Sequence, residues 1–541
     1  MSEKRLYWAG LVVISLLAFW LRVHGLFANS FHADEALFAS WARHIASWKD
    51  PLLLTQPVDK PPLLFYIQAL FYLPSGPVEW AARLPNFMVS VWLVPLTAVL
   101  YRRLYLESIA SPRACIEGGE TAGKYPSLFS ASHIPAVPPL LRVPLYPMRI
   151  NVTAVLLPAL VVACSPLAIQ FSATAFTDPL LTFWLITSLS AIRHPYSVNR
   201  LPITDYRSPI TSGIFYGFAI ATKYQAILFL PLVAGVGWLV GYGRVQWQRW
   251  LMGVLPVLLI VFLWDVARTG SWSLWTAQIG NYGGVRLAWS WELLPRLLAW
   301  GRLWATAVPT VLLPLLLLLL AALVWRAWRV DDAASRLDLL LVLFVMGYAL
   351  LHWLTAVPVW DRYLLPLVPI MAILIGRGFS RVFAGFFDDT NTQSAFIGVH
   401  PRPIVFFLLC LLLIFPAWGA RYGRYPVGGQ VNADQGAAEI AAVLMDEPYG
   451  TVLYDHWYSW QWGYHLFYRK VYVSWFPHGA ALAEDLAVFG RDGQARYVAL
   501  PTSMVSQPII RAVHTAGFQL QPVTAAGNIV LYQILPDEVT R

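Results

Sequence analysis

The feature that most constrains this chain is its series of uninterrupted apolar runs. Leu6–Leu26, Leu84–Tyr105, Val152–Phe171, Leu251–Val266 and the leucine-rich Ala307–Val324 approach or reach the ~20 residues a helix needs to cross the hydrocarbon of a bilayer. Composition agrees: 58% of the 541 residues are hydrophobic and 12% are charged, with a mean hydropathy of +0.57. A soluble domain carries roughly 25% charged residues, so no water-soluble core of this size hides so much apolar surface. The chain reads as a polytopic, all-α transmembrane bundle of about eleven spans, within a range of about 10 to 13. The spans centre near residues 16, 95, 161, 185, 215, 234, 257, 315, 347, 370 and 410.

The net charge of +9 does not indicate nucleic acid, because Lys and Arg fall between the apolar runs, as juxtamembrane anchors do. Cys115, Cys164 and Cys410 have no paired or metal-ligand spacing. The basic start followed by a long apolar stretch without a small-residue cleavage site predicts a retained first span. Loops rich in Lys and Arg (102–149, 193–207, 244–249, 326–336 and 377–402) predict a cytoplasmic N-terminus. Outside would then lie 27–83, a short turn at 172–178, the Trp-rich 265–302 and everything after Arg421.

Two regions follow from this organisation. Residues 1–420 form the membrane part, with an irregular cytoplasmic loop at 108–149, and 421–541 form a small extracytoplasmic α/β domain. Within the latter, Ala433–Met445, Ala480–Phe489 and Pro508–Ala516 read as helices, and Gly450–Asp455, Val471–Trp475, Ala495–Leu500 and Asn528–Ile534 as strands. It has no glycine-rich phosphate loop, so no nucleotide cofactor is expected.

The first outer loop contains FHADEALFASWARHIASW and then PVDKPPLLFYIQALF. Ala36, Leu37, Trp41, Ile45 and Trp48 recur at helical spacing and predict an amphipathic juxtamembrane helix. Asp34 and Glu35 fall at its start, where a carboxylate can simply be an N-cap or can be mounted for chemistry. Lys60, beside Asp59, can snorkel to headgroups or hold an anionic substrate. Asp178, in FSATAFTDPLL, can cap the next span or line a hydrated cavity. Lys223-Tyr224 and Asp361-Arg362-Tyr363 stand at the ends of further runs, where Arg suits phosphate oxygens but is also a routine anchor. Together these residues bring carboxylates (Asp34, Glu35, Asp59, Asp178) and cations (Lys60, Lys223, Arg362) to one interface. Carboxylates deprotonate an acceptor or hold a divalent metal, and cations bind a phosphate leaving group.

The order of these motifs resembles the GT-C superfamily of integral-membrane glycosyltransferases. It is most similar to the branch containing protein O-mannosyltransferases and bacterial aminoarabinose transferases to lipid A. The likeness covers about residues 5–380 and rests on the DE pair, KPP, the Trp80–Leu84 step, the outer turn ending in Asp178, Thr222-Lys223 and Arg362–Pro369. It implies transfer of a sugar from a polyprenyl-phosphate carrier to a lipid, glycan or protein hydroxyl on the outer face, with inversion. It also implies two juxtamembrane helices in the first outer loop. Asp34 matches the proposed base, Glu35 a supporting carboxylate and Asp178 the second functional Asp. Lys60, Arg362 and Tyr363 match positions near the donor phosphate, with Lys223 beside them. Asp34, Asp59 and Asp178 form a candidate set for Mg or Mn. Two other classes stand beside this one: a carrier of lipid-linked or small anionic substrates, and a membrane anchor for an external binding domain. A carrier places its ionisable groups near the bilayer midplane, whereas these sit in loops; an anchor leaves the charged constellation unused.

Overall fold

The computed structural model describes residues 3–28, 30–107, 152–193, 207–280, 286–307, 312–330, 332–387, 401–428, 435–468 and 470–537. The expected irregular loop 108–149 lies outside these residues. The helices run α1 (Glu3–Ala28), α2 (Ala33–Ala46), α3 (Leu63–Ser75), α4 (Glu79–Arg102), α5 (Val152–Cys164), α6 (Pro166–Ser172), α7 (Thr177–Ala191) and α8 (Arg207–Thr222). After a 3-10 turn at Tyr224–Phe229 come α9 (Leu230–Leu239), α10 (Arg244–Thr269), α11 (Ser273–Gly280), α12 (Ser290–Ala307), α13 (Leu312–Arg329) and α14 (Ala333–Leu354). A second 3-10 turn, Asp361–Leu367, leads into α15 (Val368–Phe387), and α16 (Pro401–Arg421) follows.

Large apolar side chains point outward along these helices, as a lipid solvent allows: Val13 is 64% exposed and Ile260 67%. The chain is a multi-pass membrane protein. Every expected span centre falls inside a helix, but the expected count is not reached among the described residues. Five helices are long and apolar enough to cross, or six if α5 and α6 form one bent span. One apolar run is broken into two helices. At Ser165 the axis bends by 59°, because the Ser165 hydroxyl accepts from the Ala168 amide at 3.3 Å and Pro166 begins a new helix. Close packing elsewhere depends on absent side chains. A Cβ on Gly213 of α8 would lie 2.1 Å from the Trp250 carbonyl oxygen of α10, and one on Gly253 would lie 2.2 Å from that of Ile210.

Beyond α16 the chain forms α17 (Ala437–Met445), β1 (Val452–Asp455), α18 (Ser459–His465), β2 (Tyr472–Trp475), α19 (Gly479–Phe489), β3 (Arg496–Pro501), α20 (Gln507–Thr515), β4 (Phe518–Ala526) and β5 (Ile529–Pro536). The strands make one sheet in the order β2-β1-β3-β5-β4, with β1 parallel to β2 and β3, and β5 antiparallel to β3 and β4. Alternation along the strands builds two apolar layers. Leu453 and Ala499 meet Ile440, Leu444, Trp462 and Leu466 on one face. Tyr454 and Val498 meet Leu482, Leu486, Ile509 and Val513 on the other. The expected helices and strands are present; β4 and α18 are additional.

This C-terminal part is fastened to α2. Arg43 donates to the Tyr464 carbonyl at 2.5 Å and lies over the rings of Phe467 and Tyr468. The Tyr464 hydroxyl donates to the Pro77 carbonyl at 2.8 Å, and its ring meets Phe31 edge-on.

Candidate active site

The charged residues converge where α2, the turn before α7, the start of the 224–229 turn and the 361–367 turn meet. The beginning of α2 sets the geometry. His32, not Asp34, is the N-cap: its Nδ1 accepts from the Asp34 amide at 3.2 Å. Glu35 closes the capping box by accepting from the His32 amide at 3.0 Å. The cap reading of Asp34 is thus corrected, because the neighbouring residues satisfy the helix start and leave its carboxylate for another partner. That partner is Arg362, whose Nη1 donates to Asp34 Oδ2 at 2.8 Å across 328 residues of sequence.

Asp34 and Glu35, adjacent in sequence, occupy opposite environments. The Asp34 side chain is 38% exposed, whereas Glu35 is fully buried and takes Arg83 of α4 at 3.0 Å. Glu35 also accepts from the Ala175 amide at 2.7 Å. Successive helical residues point about 100° apart, so one faces the opening and the other faces the core. Glu35 therefore does not stand beside Asp34 at the opening, as its pairing in the sequence suggested; it ties α2, α4 and the 173–176 turn together. Asn86, also fully buried, completes this clamp by donating to the carbonyls of Thr174 and Phe176 at 2.8 and 2.6 Å.

Asp178 stands in the first turn of α7 but makes no cap, since the N-cap residue is Phe176 and no side chain caps the helix. It is fully buried and accepts from Lys223 Nζ at 2.6 Å. Lys223 Nζ also lies 4.9 Å from the centre of the Tyr363 ring. Arg362 is framed by two aromatic faces, Trp360 at 4.0 Å and Phe176 at 5.3 Å. Its buried Nε has no hydrogen-bond partner among the described residues. Lys60 is paired to Asp59 rather than extended to the surface, with its side chain 13% exposed. It contributes charge at both Asp34 and Lys223, so the two ion pairs belong to one cluster.

Burial acts to raise the Asp34 pKa, but the charge and hydrogen bond of Arg362, with His32 and Lys60, outweigh it. The carboxyl is held below its ordinary range. It is therefore ionised at neutral pH and able to accept a proton once Arg362 turns away. The three carboxylates expected as a metal set are held apart by ion pairs. Asp34, Asp59 and Asp178 are each paired to a different cation, and no group of three or more His, Cys, Asp or Glu among the described residues has metal-binding geometry.

Several residues escaped the sequence reading. Arg83 appeared there only as part of a motif, and Asn86 not at all. Asp361, named in the sequence only beside Arg362, accepts from the Gly428 amide at 2.6 Å, holding the 361–367 turn to the segment that follows α16. Buried Asp265 binds the Leu274 amide and Arg268, and Arg268 reaches the Gln56 and Val58 carbonyls in the loop that carries Lys60.

No protein-family model matches the sequence, and no curated protein is recognisably similar to it. Solved structures do match along the whole chain. ArnT from Cupriavidus metallidurans bound to undecaprenyl phosphate aligns with a TM-score of 0.55 at 14% identity, over 98% of this chain and 97% of that one. The same protein in its apo state gives 0.58 at 14% identity, over 98% of both chains. The Archaeoglobus fulgidus oligosaccharyltransferase tethered to an acceptor peptide gives 0.53 at 12% identity, over 95% of this chain and 71% of that one. At such identities the likeness is one of fold. The fold expected from the resemblance to GT-C glycosyltransferases is the fold observed.

Proposed function

We propose that this protein transfers a sugar from a polyprenyl-phosphate carrier to an acceptor hydroxyl at the outer face of the membrane. The observation that carries the reading is the Asp34–Arg362 pair. A depressed, partly exposed carboxylate is held by a guanidinium with a donor to spare, beside a second pair, Asp178–Lys223. The fold shared with a structure holding undecaprenyl phosphate, and with one holding an acceptor peptide, supports this choice of substrates.

In this mechanism the lipid phosphate enters between Arg362, Lys60 and Lys223, whose charges stabilise it as it leaves. Arg362 exchanges Asp34 for phosphate oxygens, which frees the carboxylate. The acceptor oxygen attacks the anomeric carbon from the opposite side as the carbon–oxygen bond to phosphate breaks. The acceptor proton passes to Asp34, the bonding electrons leave with the polyprenyl phosphate, and configuration inverts. Asp178 holds Lys223 in place and sets the local charge balance. Tyr363 stacks on Lys223, and the Glu35 clamp is a positioning device. Residues 1–420 carry the chemistry and 421–541 form an external part resting on α2.

Membranes containing Asp34→Asn or Asp178→Asn, supplied with polyprenyl-phosphate sugars, are expected to lose transfer. Full activity in both variants would remove the assignment. No observation in the cluster favours a carrier, whose charges belong at mid-membrane.

A further inference from the structure

Lys223 and Arg362 are mounted on two separate 3-10 turns. Lys223 is the N-cap residue of Tyr224–Phe229, and Arg362 is the second residue of Asp361–Leu367. A 3-10 turn is held by i→i+3 bonds of poorer geometry than those of an α-helix, so its place depends on what lies beside it. The second turn also lacks one bond of its own. In the i→i+3 pattern the Tyr363 carbonyl takes its donor from residue 366, which is Pro366 and has no N–H.

Helix α14 supplies that donor. The Tyr348 hydroxyl donates to the Tyr363 carbonyl at 2.8 Å and accepts from Nε2 of Gln225, two residues beyond Lys223. Gln225 Nε2 also lies 3.5 Å from the same carbonyl. One phenol oxygen therefore joins the turn of Lys223 to the turn of Arg362. Its ring is fixed in turn. Tyr348 is 4% exposed, stacks on His352 at 4.1 Å and meets Phe229 at 5.5 Å. His352 has the ring of Trp300 edge-on at 5.6 Å, and Trp300 Nε1 donates to the His352 carbonyl at 3.1 Å. On its other side His352 meets the Tyr363 ring at 5.5 Å. Two cations serve one phosphate only when their separation fits its oxygens, so the groups that fix their mounts matter as much as the charges.

We propose that Tyr348 is a positioning residue for sugar transfer: its hydroxyl sets the spacing of Lys223 and Arg362 and so the fit of the donor phosphate. The role rests on the transfer reading, in which both cations hold one phosphate. Tyr348 acts through the two turns and not on the reacting atoms.

The test uses the full chain in phosphatidylcholine nanodiscs doped with equal amounts of a polyprenyl monophosphate and the matching uncharged polyprenol. Native mass spectrometry after detergent release gives the ratio of the two lipids retained. Wild type should prefer the phosphate. Tyr348→Phe keeps the ring and its stacking and removes only the oxygen. Its preference should fall about fivefold, the weight of one buried hydrogen bond, with polyprenol retention unchanged. A general loosening would lower both lipids together, so an unchanged ratio with less of both overturns the proposal. Gln225→Leu cuts the other arm of the bridge; its preference should fall by a like amount, and that of the double variant no further. Were Tyr348→Phe not to fold, Gln225→Leu decides alone. Equal ratios in wild type and both variants, with Asp34→Asn inactive in transfer, overturn the positioning role and leave the transfer reading standing. A wild type without preference for the phosphate overturns both.

Discussion

The neighbouring carboxylates Asp34 and Glu35 should separate stability from activity. In Glu35→Gln the fully buried charge opposite Arg83 disappears, along with the charged acceptor of the Ala175 and His32 amides. Breaking a buried pair by removing one partner costs about 3–5 kcal/mol, because the remaining charge is left uncompensated. Arg83 retains the Ser30 carbonyl at 2.8 Å and Glu79 at 3.9 Å, and Gln still accepts, so the low end of that range applies. About 3 kcal/mol is roughly a hundredfold in an equilibrium constant. In Asp34→Asn a side chain 38% exposed loses one ion pair, which in a solvent-screened position is worth at most about 1 kcal/mol. Thermal inactivation in detergent, followed by fluorescence alongside transfer assays at low temperature, reads both effects. Glu35→Gln should inactivate much sooner than wild type yet transfer sugar while folded, and Asp34→Asn should last like wild type and transfer nothing. A Glu35→Gln protein as durable as wild type, or an Asp34→Asn protein equally fragile, would refute the division of labour.

Two further outcomes follow from the geometry. The charge of Arg362 holds Asp34 ionised below the ordinary carboxylate range, so base function should persist into mildly acid solution and fail only as pH falls through the depressed value. In Arg362→Gln only His32 and Lys60 still oppose burial, and the acid limb of the residual kcat/KM, which reports the free enzyme, should move to higher pH; an unmoved limb would contradict the pairing. Gly213→Val should force α8 from α10, because its Cβ alone would meet the Trp250 carbonyl oxygen at 2.1 Å. The expected result is loss of folded protein by size-exclusion chromatography, and a normal elution profile would show that the helices are not so close.

The membrane class and the α/β character of the C-terminal part were legible because they rest on composition and local period. Strand β4 was not. It contains Pro522, which reads against a central strand but is tolerated on an edge strand, and the ladder shifts register between Pro522 and Thr524. Helix α18 is short and aromatic, with Gly463 in it, so it carries no helical stripe. The span count is not reached among the described residues, where the 3-10 turn at Tyr224–Phe229 and the Ser165 break divide apolar runs. At the site, the residue types and their order named segments that the fold brings together. The partners did not show, since no local rule connects Asp34 with Arg362 or Asp178 with Lys223. Which of Asp34 and Glu35 faces the core depends on where α4 and the 173–176 turn pack, and that information lies outside the loop that contains them.

One short helix has two masters. The first turn of α2 presents Asp34, and its last turn holds Arg43 against Tyr464, Phe467 and Tyr468. Its 14 residues make a rod about 20 Å long, too short and too well packed to twist between its ends. Any pose of the C-terminal sheet that turns Arg43 also turns Asp34. On the function proposed above, linkage runs both ways: a molecule that settles on the C-terminal part and favours one pose would alter donor affinity by the same factor by which donor alters the affinity of that molecule.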